Sequence, residues 1–119
     1  MKLKALFEQS GGLYTACEVS GHADYTDDDP SGQILCAAVS SAMQLTCNTL
    51  TECFHAQAEV SQNPDPGVQN LLSLRLCRPD SVQSEILHGL LIHFQALSED
   101  FPGQMTVQCR KSDKPPYLK

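Results

Sequence analysis

Apolar and polar positions alternate along the first twenty residues. Leu3, Ala5 and Phe7 fall on one side and Lys2, Lys4 and Glu8 on the other, with Leu6 out of step. This period of two predicts a strand over residues 2–8. Gln9-Ser10-Gly11-Gly12 is turn chemistry. Residues 13–20 resume the alternation, with Leu13, Thr15, Cys17 and Val19 facing one way and Tyr14, Ala16, Glu18 and Ser20 the other. The two segments read as an antiparallel hairpin. From Leu35 the period lengthens. Leu35, Val39, Ala42-Met43, Thr46-Cys47, Leu50 and Cys53-Phe54 recur three or four residues apart, the apolar stripe of a helix of about five turns. Its first turn is expected to hold Cys36, with Asp29 or Ser31 as alternative caps. Residues 56–62 alternate weakly and predict a strand. Asn63-Pro64-Asp65-Pro66-Gly67 is a strong turn. Asn70 to Arg78 sets Leu72, Leu74 and Leu76 against Leu71, Ser73, Arg75 and Cys77, and the apolar Leu71 on the polar side marks a central strand. Asp80 or Ser81 caps a second helix, whose core stripe is expected at Val82, Ile86, Leu90, Phe94 and Leu97 and is widened by Leu87 and Leu91. Phe101-Pro102-Gly103 ends it. Met105, Val107 and Cys109 form a last strand.

The order is therefore β-β-α-β-β-α-β. Two helices of this kind pack on one face of a mixed five-stranded sheet, giving an α+β fold. Residues 1–110 form one domain, and the polar stretch 111–119 reads as a loose tail. No repeat, low-complexity block or long linker divides the chain.

At 119 residues the chain is long enough to bury a core without metals or disulfides. Eight Lys and Arg against fourteen Asp and Glu give a net charge of −6. Direct nucleic-acid binding, which rests on phosphate neutralisation, is not expected; attraction of a basic partner is. Met1-Lys2-Leu3-Lys4 runs directly into the first strand, so no leader is expected, and no apolar run approaches the roughly 20 residues that span a bilayer. The expected location is the cytoplasm, with the six cysteines reduced.

The chain turns on Gly21-His22-Ala23, an acidic loop containing Asp24, Asp27, Asp28 and Asp29, and then Ile34-Leu35-Cys36-Ala37-Ala38-Val39-Ser40. An imidazole at a strand end and a thiol at a helix start form a chemically suggestive pair. A helix N-terminus favours thiolate over thiol, and a nearby imidazole takes the thiol proton. Free N–H groups at Cys36 and Ala37 would then hold the developing oxyanion. Spacing alone leaves open a buried structural cysteine and an ordinary loop histidine. The acidic loop reads either as a lid that draws in a basic peptide or as a solvated surface.

These residues resemble the bacterial ribosomal-processing cysteine protease family, Prp, in which a Gly-His and a Cys-Ala-x-Val-Ser flank a flexible loop. Length and element order match across essentially the whole chain. The resemblance implies an α+β homodimer with a Cys/His dyad. Its activity removes an N-terminal extension from the large-subunit ribosomal protein numbered twenty-seven. Carried over by motif, Cys36 is the nucleophile and His22 the general base, and Ser40 supports the site. One departure stands out. The family commonly has an Asp three residues before the cysteine, where this chain has Gln33. Gln33 can hydrogen-bond but cannot stabilise an imidazolium by charge, a task left to Asp24, Asp27, Asp28 or Asp29.

The implied enzyme is a cysteine endopeptidase that needs no cofactor. Its partner is the N-terminal segment of a ribosomal protein, with no membrane involved. The alternative is a non-catalytic ribosome-associated binding module using the same groove. A thiol-redox protein fits poorly, since no Cys-x-x-Cys is present. Cys47, Cys53 and His55 match no closed zinc pattern, so no metal is expected. His88 and His93 sit about 140° apart around the second helix and do not share a face.

Overall fold

The computed structural model describes residues 2–21, 30–62 and 71–112. Its elements are β1 (Leu3–Ser10), β2 (Leu13–Ser20), α1 (Ser31–Asn48) continued by a π-helical turn (Thr49–Cys53), β3 (Ala58–Gln62), β4 (Leu71–Leu76), α2 (Ser81–Asp100) and β5 (Met105–Ser112). The sheet order is β3-β4-β2-β1-β5, antiparallel except for the parallel β1–β5 pair. This is the expected mixed five-stranded sheet with two helices.

Register explains why the helices share one face. Phe7 lies opposite Cys17, which lies opposite Leu74, and Ala5 opposite Val19, which lies opposite Leu72. Paired residues in neighbouring strands point the same way, so the apolar alternates of four strands merge into one surface. Both helices cover it. Cys17 Sγ meets Met43 Sδ of α1 at 3.8 Å, and the Phe7 ring packs edge-on against Phe94 of α2 at 6.0 Å. Leu35, Val39, Met43 and Leu50 of α1 and Leu87, Leu90, Leu91 and Phe94 of α2 are all buried there. Ser31–Cys53 is by length and composition alone long and apolar enough to cross a membrane, contrary to the expectation of no such run. Its buried stripe against the sheet is that of a core helix.

The opposite face of the sheet is polar. Arg75, Ala16, Glu8 and Arg110 fall in one row across β4, β2, β1 and β5. Ala16 is small enough for the Arg75 guanidinium to pass over it and bond Glu8 at 2.7 Å, while Arg110 bonds the other carboxylate oxygen. Burial pushes the Glu8 carboxyl up, but the two guanidiniums more than offset this and hold it below its usual range.

Several expectations need correction. The β1–β2 register slips between Glu8 and Gln9. This bulge brings Tyr14 opposite Gln9, on the helix-covered side, instead of leaving it on the open face. There the ring stacks on His88 at 5.3 Å, and the Tyr14 N–H donates to Ser84 Oγ at 2.9 Å. Ser84 and Gln83 are consequently buried in the first turn of α2, while Val82, expected in the core, is exposed. Asp80 does cap α2, accepting from the Gln83 N–H at 2.8 Å. β5 runs on through Ser112, two residues into the expected tail, because polar residues 111 and 112 still pair with β1. The turn at residues 63–67 lies outside the described residues.

Candidate active site

Cys36 is positioned by α1, and α1 begins earlier than its apolar stripe suggests. Pro30 occupies the cap position without a side-chain hydrogen bond, and the ladder opens with Ile34 N–H donating to the Pro30 carbonyl at 3.1 Å. Pro30-Ser31-Gly32-Gln33 supplies a full polar turn that periodicity cannot register. Cys36 therefore sits in the second turn. Its N–H and that of Ala37 fall inside the i→i−4 ladder, so they are not the free donors expected for an oxyanion. The helix dipole also acts less strongly there than in the first turn.

Helical geometry fixes which way Cys36 faces. At about 100° per residue, the buried residues Leu35, Val39, Met43 and Leu50 cluster on one stripe. Cys36 lies at its margin and is half-buried. Ser40, Met43 and Cys47 follow on nearly the same line. They form one wall of a groove of about 350 Å³ whose other wall is Val60 of β3 and Leu72 of β4. Sequence reasoning missed this groove. Its signal in the sequence is the run Ser40, Met43 and Cys47 on the helical line that starts at Cys36; periodicity alone assigns Met43 and Cys47 to the core stripe.

One contact ties α1 to β2. Met43 touches Cys17. Cys36 lies seven residues up the helix from Met43, about 10 Å. Gly21 lies four residues along the strand from Cys17, about 13 Å in the other chain direction. Gly21 closes β2, buried and at φ 83°, a conformation that glycine adopts without strain. His22, Asp24, Asp27, Asp28 and Asp29 lie outside the described residues. Gln33, Ala37 and Ser40 are exposed.

The remaining thiols differ in environment. Burial pushes the Cys17, Cys47 and Cys109 thiols up, which keeps them protonated and weakly nucleophilic near neutral pH. Among the described residues no group of three His, Cys, Asp or Glu side chains is placed to hold a metal ion. His88 stacks on Tyr14 and approaches Glu85 at 3.5 Å; His93 lies elsewhere on α2, beside Phe94.

Comparison with known proteins supports a peptidase. Among curated proteins none matches. A Streptococcus mutans protein of known structure, SMU.848, superimposes with a TM-score of 0.80 at 20% identity, covering 93% of this chain and 96% of that one. The S. aureus ribosomal processing protease Prp superimposes with TM-scores of 0.70 and 0.69, at 17% identity in both cases. The first of these structures holds a substrate peptide and the second a covalently linked product peptide. Each covers 91% of this chain and 99% of the other. At such identities the likeness establishes the fold. The family model described as cysteine protease Prp matches residues 2–106, which takes in β1 to β4, both helices and the first two residues of β5. The chain belongs to the Prp family of cysteine proteases.

Proposed function

We propose that this peptidase removes the N-terminal extension of the large-subunit ribosomal protein numbered twenty-seven, with Cys36 as nucleophile and His22 as general base. The observation that carries the reading is the placement of Cys36. It stands half-buried one helical turn before Ser40, the nearest α1 residue lining an open groove, within a chain matched to the cysteine protease model from residue 2 to residue 106. The ribosomal substrate draws support from the S. aureus relative, described as a ribosomal processing protease.

The chemistry is acyl transfer. His22 accepts the Cys36 proton, and the thiolate attacks the scissile carbonyl. The tetrahedral adduct collapses as the C–N bond breaks, and the leaving amine takes the proton back from the imidazolium. Water, deprotonated by His22, then cleaves the thioester and restores the thiol. Ser40, Gln33, Gly21 and Ala37 support the dyad, and the acidic loop with Asp24, Asp27, Asp28 and Asp29 attracts a basic ribosomal-protein segment. The enzyme works in the cytoplasm as a homodimer. A shallow groove of about 550 Å³ between α1 and α2, lined by Ala38, Ala42, Leu45, Ile86, Leu90 and His93, supplies apolar surface for a second copy.

The test is incubation of the ribosomal precursor with wild-type protein and with Cys36→Ala, read by mass. The wild type should shorten the precursor and Cys36→Ala should leave it intact, with an unfolding midpoint close to wild type. Cleavage by Cys36→Ala would remove that thiol from the mechanism. Sedimentation equilibrium of the wild type at micromolar concentration should give twice the chain mass; a monomer there would refute the dimer.

A further inference from the structure

β3 is the edge of the sheet among the described residues, and its backbone has a definite polarity. Cys77 N–H donates to the Gln57 carbonyl at 2.9 Å. That makes Gln57 and Cys77 a hydrogen-bonded pair of the antiparallel ladder. Such pairs alternate with non-bonded ones. The β3–β4 register, Ala58 opposite Leu76 through Gln62 opposite Leu72, then assigns Glu59 and Ser61 to bonding with β4. Ala58, Val60 and Gln62 point their N–H and C=O groups outward. Four of the five β3 residues are exposed, including Val60 at 54%. Neither proline nor lysine, two residues that commonly blunt such an edge, occurs in β3.

The side chains at this edge reinforce the backbone. Val60 lies opposite Leu74, on the helix-covered face, and forms the outer wall of the groove that Met43 and Cys47 close from α1. Ser40 lines the near end of the same groove, one helical turn, about 6 Å, beyond Cys36. The groove thus begins one helical turn from Cys36, at Ser40.

We infer that the substrate peptide docks as a sixth strand on the free edge of β3, exchanging backbone hydrogen bonds with Val60 and Gln62 and dropping alternate side chains into the α1–β3 groove. This rests on the peptidase reading above. An extended chain advances about 3.3 Å per residue. The side chains seated in the groove are therefore those roughly two to four residues from the scissile bond, and they meet a mixed lining in which Met43, Val60 and Leu72 lie beside Gln44 and Asn48. The docked backbone supplies affinity and the alternate side chains supply selectivity, as in other strand-addition modes.

The test uses a synthetic peptide spanning the processing site of the same organism's ribosomal protein, and a series in which one backbone amide at a time is N-methylated. Strand docking predicts a period-two pattern on one side of the scissile bond. Alternate methylations should raise KM by several-fold to about tenfold, the worth of one backbone hydrogen bond, while the intervening ones change it less than twofold. Val60→Pro, which removes an outward donor and leaves the β4 ladder intact, should raise KM to the same extent with kcat within about twofold. Because the peptide scan leaves the enzyme untouched, it stands even where that variant folds poorly. A flat scan on a peptide that the wild type cleaves would overturn strand docking and leave the peptidase intact. A wild type that does not cleave the parent peptide would overturn both.

Discussion

α1 and α2 cover the same face of the same sheet, yet they are built to different standards. α2 opens on a hydrogen-bonded Asp80 cap and runs unbroken for 20 residues, with Leu87 and Phe94 fully buried. α1 opens on Pro30 with no side-chain cap. In its second half Thr46, Thr49 and Thr51 each donate a hydroxyl to the carbonyl four residues back, a bond that competes with the ladder and favours bending. It ends in a π-helical turn, with Phe54 N–H reaching the Thr49 carbonyl at 3.2 Å, and then in His55 at φ 52°. The well-made helix carries no proposed catalytic group. The poorly capped one carries Cys36, Ser40 and one wall of the groove. The side-chain cap thus falls on the helix that carries no proposed catalytic group, although both helices bury their core leucines.

The largest effect expected on this contrast comes from α2. Phe94 is fully buried and packs edge-on against Phe7 of β1. Phe94→Ala should cost about 3–5 kcal/mol, a large part of the 5–15 kcal/mol typical of a domain. Activity should fall only as far as the folded fraction does. Urea unfolding gives the first quantity, and specific activity normalised to folded protein gives the second. Cys36→Ala is the converse case: under the proposed mechanism it should remove turnover and leave the unfolding midpoint nearly in place. Should Phe94→Ala lower activity per folded molecule, the division of labour between the helices would not hold.

Much of this was legible in the residues, and the misses share a cause. β2 was placed at residues 13–20, as observed, because its alternation is clean and glycine bounds it. The second helix was located by its cap and stripe. Tyr14 was assigned to the wrong face because a bulge is one residue of extra length, which leaves no trace in composition. The burial of Gln83 and Ser84 leaves no mark in the periodicity because it depends on that bulge and on a cap, both of them tertiary. Periodicity also missed the start of α1, since its first turn, Ser31-Gly32-Gln33-Ile34, shows no apolar repeat. The parallel pairing of β5 with β1 joins residues about a hundred positions apart, beyond any local signal. Of the site, the motif singled out Cys36 and Ser40, and the helical line they begin continues through Met43 and Cys47 into the groove. The far wall, Val60 and Leu72, becomes visible only once β3 and β4 pair.

The smallest effect lies at the end of α1. His55 holds a positive φ, which costs a non-glycine residue about 1–2 kcal/mol in the left-handed region. Glycine relieves that cost but gives back about 0.4–1 kcal/mol through a freer unfolded chain. His55→Gly should therefore raise stability by roughly 0.5 kcal/mol, read as a small upward shift of the urea midpoint with an unchanged slope. The gain should come without loss of activity, because His55 follows the π-helical turn and lies outside the groove lining. A loss of stability would mean that the exposed imidazole makes up for its backbone strain. The end of α1 would then be held as firmly as that of α2, and the contrast between the helices would rest on their starts alone.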